Sequence, residues 1–157
     1  MPPRHWLMKT EPSVFSFDDL LAKPGRTDCW EGVRNYQARN HMMEMKEGDR
    51  VLFYHSNAGP PHVAGLAEVA REAYPDHSAF DPKSRYFDPK SGRARPRWHM
   101  VDVRAVSKLP RPVSLPEMKA NPKLKGMAVV RPFQRLSVQP VTKEEYEEVV
   151  RMAKAKK

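Results

Sequence analysis

RVLFYHSNAGPPHVAGLAEVAREAY, at residues 50–74, contains two strand signals with a loop between them. RVLFYHS is rich in β-branched and aromatic residues, the types that favour strands. SNAGPPH has the Gly, Pro and Asn content of a loop, and VAGLAEVAREAY predicts a second strand that returns along the first. The middle of the chain is therefore predicted to be β-sheet.

Three further segments predict strands on either side of this pair. HWLMKTEP, at residues 5–12, is a short strand that Pro12 ends. WHMVDVRAV, at 98–106, alternates and places Val101, Val103 and Ala105 on one face. RLSVQPV, at 135–141, alternates again.

Four helices are predicted from caps and apolar spacing. Ser16 caps a short helix that ends before Pro24. Asn35 caps a helix over about residues 36–46, whose apolar residues recur at helical spacing. Two capping boxes predict the other starts, Ser114 with Glu117 and Thr142 with Glu145.

The order of these elements is strand, two helices, three strands, helix, strand, helix. Few β-α-β units occur, so the pattern predicts an α+β fold with a mixed curved sheet or small barrel surrounded by short helices. The chain of 157 residues is short enough for one domain, which we place at residues 1–157.

The formal charge of +9 favours a polyanionic partner, with nucleic acid the first choice, although solubility alone is the alternative. One cysteine excludes an internal disulfide. No apolar run reaches the roughly 18 residues of a membrane span, and the first residues lack the apolar core of a secretion signal. We therefore expect a cytoplasmic protein without a membrane partner. The sequence says nothing of oligomeric state.

FDPKS occurs twice between residues 80 and 91, within a basic run at 83–97. Asp before Pro favours a turn in which the Asp side chain is the acceptor. The two turns predict an exposed loop with aromatic tips. Such a loop is either a structural excursion between strands or a clamp on a polyanion.

Enzyme signatures are sparse in this sequence. The motifs of P-loops, nucleophile elbows and zinc proteases are absent, and the histidines do not stand at metal-ligand spacing. We therefore predict no metal, no cofactor and no catalytic residue. Cys29 is either a nucleophile with His55 or His99 as its base, or a small buried apolar residue. Lys9 and Glu11 are either an acid/base pair or an ion pair that fixes the end of a strand.

CWEGVRNYQARNHMMEM, at residues 29–45, completes a set of ordered motifs. The others are WLMKTEP, VLFYHSN, GLAEV, FDPKSRYFDPKS, PRWHMVDV and LSVQPVT. Together they make the chain resemble the EVE domain family of PUA-like proteins from about residue 5 to residue 150. The resemblance implies a PUA-like, barrel-like sheet with helices around it. It also implies binding of a modified base, such as methylated or hydroxymethylated cytosine, in DNA or RNA.

The resemblance also implies which residues form the base pocket. Aromatic side chains would stack on the base, amides and hydroxyls would contact its edge, and a glycine would allow close approach of the backbone. The residues implied are Trp30, Gly32, Arg34, Asn35, Tyr36, Ser56, Asn57 and Trp98. Six of them have a structural alternative: the tryptophans suit a core, Asn35 suits a helix cap, Tyr36 could pack under the helix, and Ser56 and Asn57 suit a turn.

Cations are needed for the phosphate backbone. The candidates are Lys9, Arg39, Arg85, Arg97 and Arg131. The predicted function is therefore a non-catalytic module that binds a modified base in an aromatic pocket.

Two other functions stay open at this point. Some ASCH domains, which share the PUA-like architecture, hydrolyse modified nucleosides with Lys, Thr and Glu side chains, and Lys9, Thr10 and Glu11 are adjacent here. Strand alternation predicts that only Lys9 and Glu11 share a wall. The third candidate is a module for protein contacts, which would not bind nucleic acid.

Overall fold

A computed structural model describes residues 2–132 and 136–155 of the chain. The strands are β1 (His5–Thr10), β2 (Thr27–Cys29), β3 (Arg50–His55), β4 (His62–Pro75), β5 (His99–Ser114) and β6 (Val138–Val141). The helices are α1 (Phe17–Leu21), α2 (Tyr36–Glu44), α3 (Leu115–Ala120) and α4 (Lys143–Lys154). Short 3-10 turns lie at Pro24–Arg26, His77–Phe80, Pro122–Leu124 and Ala128–Val130.

The six strands form one mixed sheet in the order β2-β5-β4-β3-β1-β6. The predicted pair at 50–74 is the antiparallel pair of β3 and β4, with a bulge between Phe53 and Tyr54. Strand β1 runs parallel to β3, so both strands end at the same edge of the sheet. There the Ser56 N–H donates to the Thr10 carbonyl over 2.9 Å, and this edge positions the candidate site.

The sheet is open, so the small barrel that we allowed as an alternative is wrong. Strands β2 and β6 lie at opposite ends of the strand order and do not pair with each other in the described residues. β2 pairs with β5 for three residues only, from Thr27 to Cys29. This short strand was not predicted, because three residues are too few for an alternating pattern.

The predicted helix starts are confirmed by their caps. Ser16, Ser114 and Thr142 each form a complete capping box. The Asn35 side chain accepts from the Ala38 N–H over 2.9 Å. Helix α2 is slightly shorter than predicted and ends at Glu44.

Alternating residues of β1 belong to two separate cores. Trp6 and Met8 pack with Phe53, Val101 and helices α1 and α2. Leu7 packs on the opposite face with helices α3 and α4. The valines of β5 that were predicted to share a face lie in the first core.

Both FDPKS segments form the predicted turns. Asp81 accepts from the Lys83 N–H, and Asp88 accepts from the Lys90 N–H, each over 2.9 Å. Arg135, which was part of a predicted strand, and the last two lysines lie outside the described residues. Among the helices that are described, none has the length and apolarity to cross a bilayer.

Candidate functional site

A cavity of about 760 Å³ opens at the edge of the sheet where β1 and β3 end. Its walls come from the end of β1, the turn before α1, and the segment 28–34, which runs from β2 towards α2. The loop that contains the FDPKS turns completes them. Cavities of roughly 300–1,000 Å³ are typical of small-molecule sites. The predicted site residues that line it are Lys9, Trp30, Gly32, Arg34, Ser56 and Arg85.

Trp30 lines this cavity and also belongs to the core. Its ring is only 7% exposed and lies edge-on to Phe53, with ring centroids 5.3 Å apart. Phe15 lies edge-on to the same indole at 6.4 Å and also lines the cavity. Trp30 therefore lies in the core and presents part of its surface to the cavity, and its stacking on a base stays a prediction.

Gly32 makes the predicted close approach, but its neighbour is a protein side chain. Its φ of +85° is in the left-handed region, and a Cβ at this position would lie 2.5–2.7 Å from ring atoms of Tyr86. Tyr86 lines the cavity. Glycine at this position thus lets the phenol ring pack against the segment that carries Trp30.

We expect Gly32→Ala to destabilise the protein by roughly 1–3 kcal/mol, because it combines backbone strain with a steric clash. Gly48→Ala is the matched control, since Gly48 also has a positive φ of +91° but no neighbour within 4 Å of the added Cβ. Urea denaturation of both variants separates the two effects. Equal losses would mean that the Tyr86 ring moves aside without cost.

A buried carboxylate holds the segment 32–34 to the loop beyond β4. Asp76 is fully buried and accepts from the Gly32 N–H at 2.8 Å and from Arg34 Nη1 at 3.1 Å. It also accepts from the backbone N–H and the hydroxyl of Ser78. Burial alone raises the pKa of this carboxyl, but the hydrogen bonds from Ser78, Gly32 and Arg34 hold the pKa below its ordinary value.

The guanidinium of Arg34 is committed to protein acceptors. Its Nε and Nη2 donate to the Tyr86 carbonyl at 3.1 and 2.6 Å, and its Nη1 donates to the Val33 carbonyl at 3.0 Å. Nη2 also donates to Ser78 Oγ. Arg34 therefore lines the cavity mainly as a clamp that fixes Tyr86 and the segment 32–34.

Several predicted pocket residues lie outside the cavity and form an outer stack. Tyr36 is 51% exposed and stacks on Trp98 with centroids 4.9 Å apart and an interplanar angle of 20°. The Arg39 guanidinium lies 4.8 Å from the Tyr36 ring, and the Arg34 guanidinium lies 5.3 Å from the Trp98 ring. We call Tyr36, Trp98 and Arg39 the outer stack.

The remaining predicted residues have mainly structural contacts. Asn35 caps α2 and Asn57 occupies a turn with φ of +50°; neither lines the cavity. Arg39 Nη1 donates to the Arg97 carbonyl, and Arg97 pairs with Asp88 at 3.6 Å. Arg131 is exposed after the turn Ala128–Val130 and does not line the cavity.

Lys9, Thr10 and Glu11 all line the cavity. Only Lys9 and Glu11 were expected to share a wall, but Glu11 lies beyond the end of β1 and Thr10 also contributes to the lining. Burial lowers the pKa of the Lys9 ammonium, and this group lies 5.9 Å from the Tyr54 ring.

Cys29 also lines the cavity, but neither of its predicted bases is engaged with it. His55 Nε2 accepts from the Phe17 N–H, and its Nδ1 lies 3.0 Å from His62 Nε2. Burial, with the nearby carboxylates of Asp28, Glu31 and Asp102, raises the pKa of the thiol to about 12. Without a bound cation, Cys29 is therefore protonated near neutral pH and is not an activated nucleophile.

We expect the free energy of unfolding to fall as the pH falls below about 6.5. Burial is the largest cause that lowers the pKa of His5, His55 and His99 in the folded state. The unfolded chain then binds more protons than the folded one, so stability is complete above the unfolded pKa and is lost towards the folded pKa. Urea denaturation between pH 5 and 7.5 measures this slope. His55→Gln should reduce it, and an unchanged slope would contradict a role for His55.

The EVE domain model matches residues 4–152 of the chain, nearly its whole length. The chain belongs to the EVE domain family. Thymocyte nuclear protein 1 from Homo sapiens is 44% identical over 163 residues, which cover 93% of this EVE domain chain and 72% of the human protein.

Solved structures resemble this EVE domain over nearly its whole length. A hypothetical protein from Leishmania major has a TM-score of 0.91 and 49% identity, and covers 97% of this chain and 95% of its own. Human THYN1 in complex with DNA that contains 5-methylcytosine has a TM-score of 0.92 and 43% identity. The match covers 98% of this chain and 99% of the human chain. A Zymomonas mobilis ASCH protein, at 12% identity and a TM-score of 0.55, shares the fold alone. The predicted PUA-like α+β class is confirmed.

Sequence reasoning missed several residues that line the cavity of this EVE domain. Tyr86 lies between the two FDPKS turns, and Phe15 lies just before the cap of α1. Ser84 and Ser137 add hydroxyls, and Glu31 adds a carboxylate. The position of an aromatic residue between two repeated turns could have indicated Tyr86. Its contact with Gly32 could not have been predicted, because the two residues are far apart in the sequence.

Proposed function

We propose that this EVE domain is a non-catalytic nucleic-acid-binding module that accommodates a modified base, such as 5-methylcytosine, in the cavity bounded by Trp30 and Tyr86. The observation that carries the proposal is the likeness over nearly the whole chain to a human protein whose structure contains DNA with 5-methylcytosine. We take residues 1–157 to act as one domain. RNA with a modified base is the alternative form of the same ligand.

The cavity offers what a base removed from a stack requires. The rings of Phe15, Trp30 and Tyr86 supply flat apolar surface, and stacking is worth about 1–3 kcal/mol per base. Val14 and Val33 supply aliphatic surface for a methyl group, worth about 0.8 kcal/mol when buried.

The base edge requires fixed polar groups because a methyl group alone gives weak selectivity. The hydroxyls of Thr10 and Ser56 donate and accept, and the carboxylate of Glu11 accepts only. Acidic side chains accept from the exocyclic amine of cytosine. Cytosine and its derivatives therefore suit this lining.

Phosphate contacts would come from Lys9, Lys23 and Arg85 at the cavity and from the outer stack beside it. Arg34 connects the two regions, since its guanidinium lies 5.7 Å from the Tyr86 ring and 5.3 Å from the Trp98 ring. The basic loop 83–97 is then the clamp on the polyanion. Such contacts position the nucleic acid and do not specify the base.

We expect Tyr86→Leu to reduce the affinity for a 5-methylcytosine duplex by about 1–3 kcal/mol, because it removes a stacking surface. Fluorescence anisotropy with matched duplexes that carry cytosine or 5-methylcytosine measures this loss, with RNA and hydroxymethylcytosine as further arms. Tyr36→Leu is the control, as it is the same substitution in the outer stack. It should weaken binding to both duplexes equally and leave the preference intact.

Two results would contradict the proposal. One is that the wild-type protein binds all oligonucleotides equally and with a steep dependence on salt. The positive charge would then serve only non-specific binding of polyanions. The other is a preference for the modified base that survives Tyr86→Leu and is lost in Tyr36→Leu. That outcome would move the base site to the outer stack.

A second candidate is hydrolysis of a modified nucleoside, and one observation favours it. Lys9, Thr10 and Glu11 line the same cavity, and the lowered pKa of Lys9 suits a general base. Incubation with N4-acetylcytidine, followed by chromatography and mass spectrometry, tests it. If the wild-type protein forms product and Lys9→Met does not, the protein is an enzyme. If the nucleoside stays unchanged with the wild-type protein, the binding-module proposal is retained.

The proposal requires a compartment that holds nucleic acid. We place the protein in the cytoplasm on the basis of its sequence.

A further inference from the structure

Three side chains with different metal-binding donors meet at one wall of the cavity. Cys29 ends β2, Glu31 follows it by two residues, and His77 begins the turn His77–Phe80. One thiol, one carboxylate and one imidazole donor all lie within 4.8 Å of one another. We propose that Cys29, Glu31 and His77 form a binding site for Zn²⁺ or a similar divalent transition-metal ion.

The donor set suits this class of ion. Zn²⁺ binds thiolate sulfur, imidazole nitrogen and carboxylate oxygen in tetrahedral geometry at about 2.0–2.3 Å, which puts neighbouring donors roughly 3.3–3.8 Å apart. His77 Nε2 already lies 3.3 Å from the Glu31 carboxylate. Ca²⁺ and Mg²⁺ prefer oxygen ligands alone, so a thiol and an imidazole disfavour them.

The remaining approach of the donors needs only side-chain movement. The side chains of Glu31 and His77 are 40% and 64% exposed, so both are free to change rotamer. Cys29 is half-buried on a strand that pairs with β5, which fixes its position. One fixed donor with two adjustable donors is able to close around an ion.

The surroundings are acidic, although the chain as a whole carries a charge of +9. Asp28 precedes the cysteine, and Asp102 is its partner across the β2–β5 pair. Lys23 pairs with Asp28 at 3.4 Å, and Asp102 accepts from the Tyr74 hydroxyl. The excess of carboxylates at this wall favours a bound cation.

A surface ion pair between Glu31 and His77 is the simpler explanation, but it gives no role to the thiol. Three protein donors leave one position of a tetrahedral ion open, as in catalytic zinc sites. Because Cys29 and Glu31 line the cavity, an ion held by them would lie in its wall. The sequence predicts no metal site, since His77 is far from Cys29 along the chain.

The first test is a Co²⁺ titration of tag-free, chelator-treated protein under a non-thiol reductant, without nucleic acid. We expect sulfur-to-cobalt charge-transfer absorption, together with the intense visible bands of tetrahedral Co²⁺, and displacement of Co²⁺ by Zn²⁺. Cys29→Ser should abolish the charge-transfer band. Glu31→Gln and His77→Ala should each weaken binding by about 100-fold or more, since even outer-shell substitutions cost about 10–100-fold.

His41→Ala is the matched control, because His41 lies 3.6 Å from Glu44 in another His–Glu pair of the described residues. It should leave the titration unchanged. The absence of a charge-transfer band in the wild-type protein, or binding that is lost in His41→Ala and kept in His77→Ala, would overturn the proposal.

A second readout uses the fact that the chain has a single cysteine. Zn²⁺ should slow the reaction of Cys29 with a thiol reagent at least tenfold in the wild-type protein and leave His77→Ala unaffected. Equal rates with and without Zn²⁺ in the wild-type protein would overturn the site. Neither readout involves nucleic acid, so failure here is distinct from failure of the base-binding proposal.

Discussion

Asp76→Ala is expected to lower the free energy of unfolding by about 3–5 kcal/mol, the usual cost of removing one partner from a buried charge pair. The substitution leaves the Arg34 guanidinium, the Gly32 N–H and the Ser78 N–H without their acceptor. The clamp on Tyr86 should also loosen, since the Arg34 guanidinium loses its only carboxylate acceptor among the described residues. Preference for a modified base should therefore disappear together with stability.

Urea denaturation and duplex binding at a temperature where the variant is folded measure the two effects of Asp76→Ala. Asp81→Ala is the matched control, because Asp81 is exposed and its side chain accepts from the Lys83 N–H in a turn. We expect the control to lose about 0.5–1.5 kcal/mol. A loss for Asp76→Ala no larger than for Asp81→Ala would show that water replaces the buried carboxylate.

Phe53→Ala is expected to cost about 3–5 kcal/mol, because it leaves a cavity under the site. Phe53 is fully buried, and its ring contacts those of Trp30 and Phe17 at centroid distances of 5.3 and 5.2 Å. Phe15 lies 6.3 Å away. The loss of this ring should loosen Trp30, so that affinity for the modified duplex falls as well.

Thermal and urea denaturation of Phe53→Ala should be compared with Phe87→Ala. Phe87 is 40% exposed at the start of the second FDPKS turn, so its removal should change stability by about 0.5 kcal/mol or less. Phe53→Leu, which fills most of the space, should lose less than Phe53→Ala. Similar losses for Phe53→Ala and Phe87→Ala would contradict a structural role for the aromatic cluster.

The elements of the fold were predictable because their signals are local. Ser16, Ser114 and Thr142 mark helix starts through hydrogen bonds that span three residues. The alternation in β5 reports which residues face the core. Closure of a sheet depends on pairing between distant strands, and no local pattern distinguishes the open sheet from a barrel.

The part of the cavity lining that is contiguous in sequence was the most directly predictable. Trp30, Gly32 and Arg34 lie on one segment and do line one cavity. Tyr36 and Trp98 were grouped with them through the family resemblance, but α2 turns Tyr36 outward to stack on Trp98. Tyr86 was missed because its place depends on Arg34 and Gly32, which are remote in the chain.

The open sheet leaves unpaired strand edges, a feature that promotes aggregation in other proteins. Both outermost strands are short: β2 has three residues and β6 has four, one of which is Pro140. In the pairing of β5 with β4, Lys108 lies opposite Gly65 and the next paired residue, Val113, lies opposite Val63. The four residues LPRP at 109–112 therefore have no paired residue in β4. Prolines and basic side chains at such positions cannot template a foreign strand. The protein is thus protected against edge-to-edge polymerisation although its sheet is open.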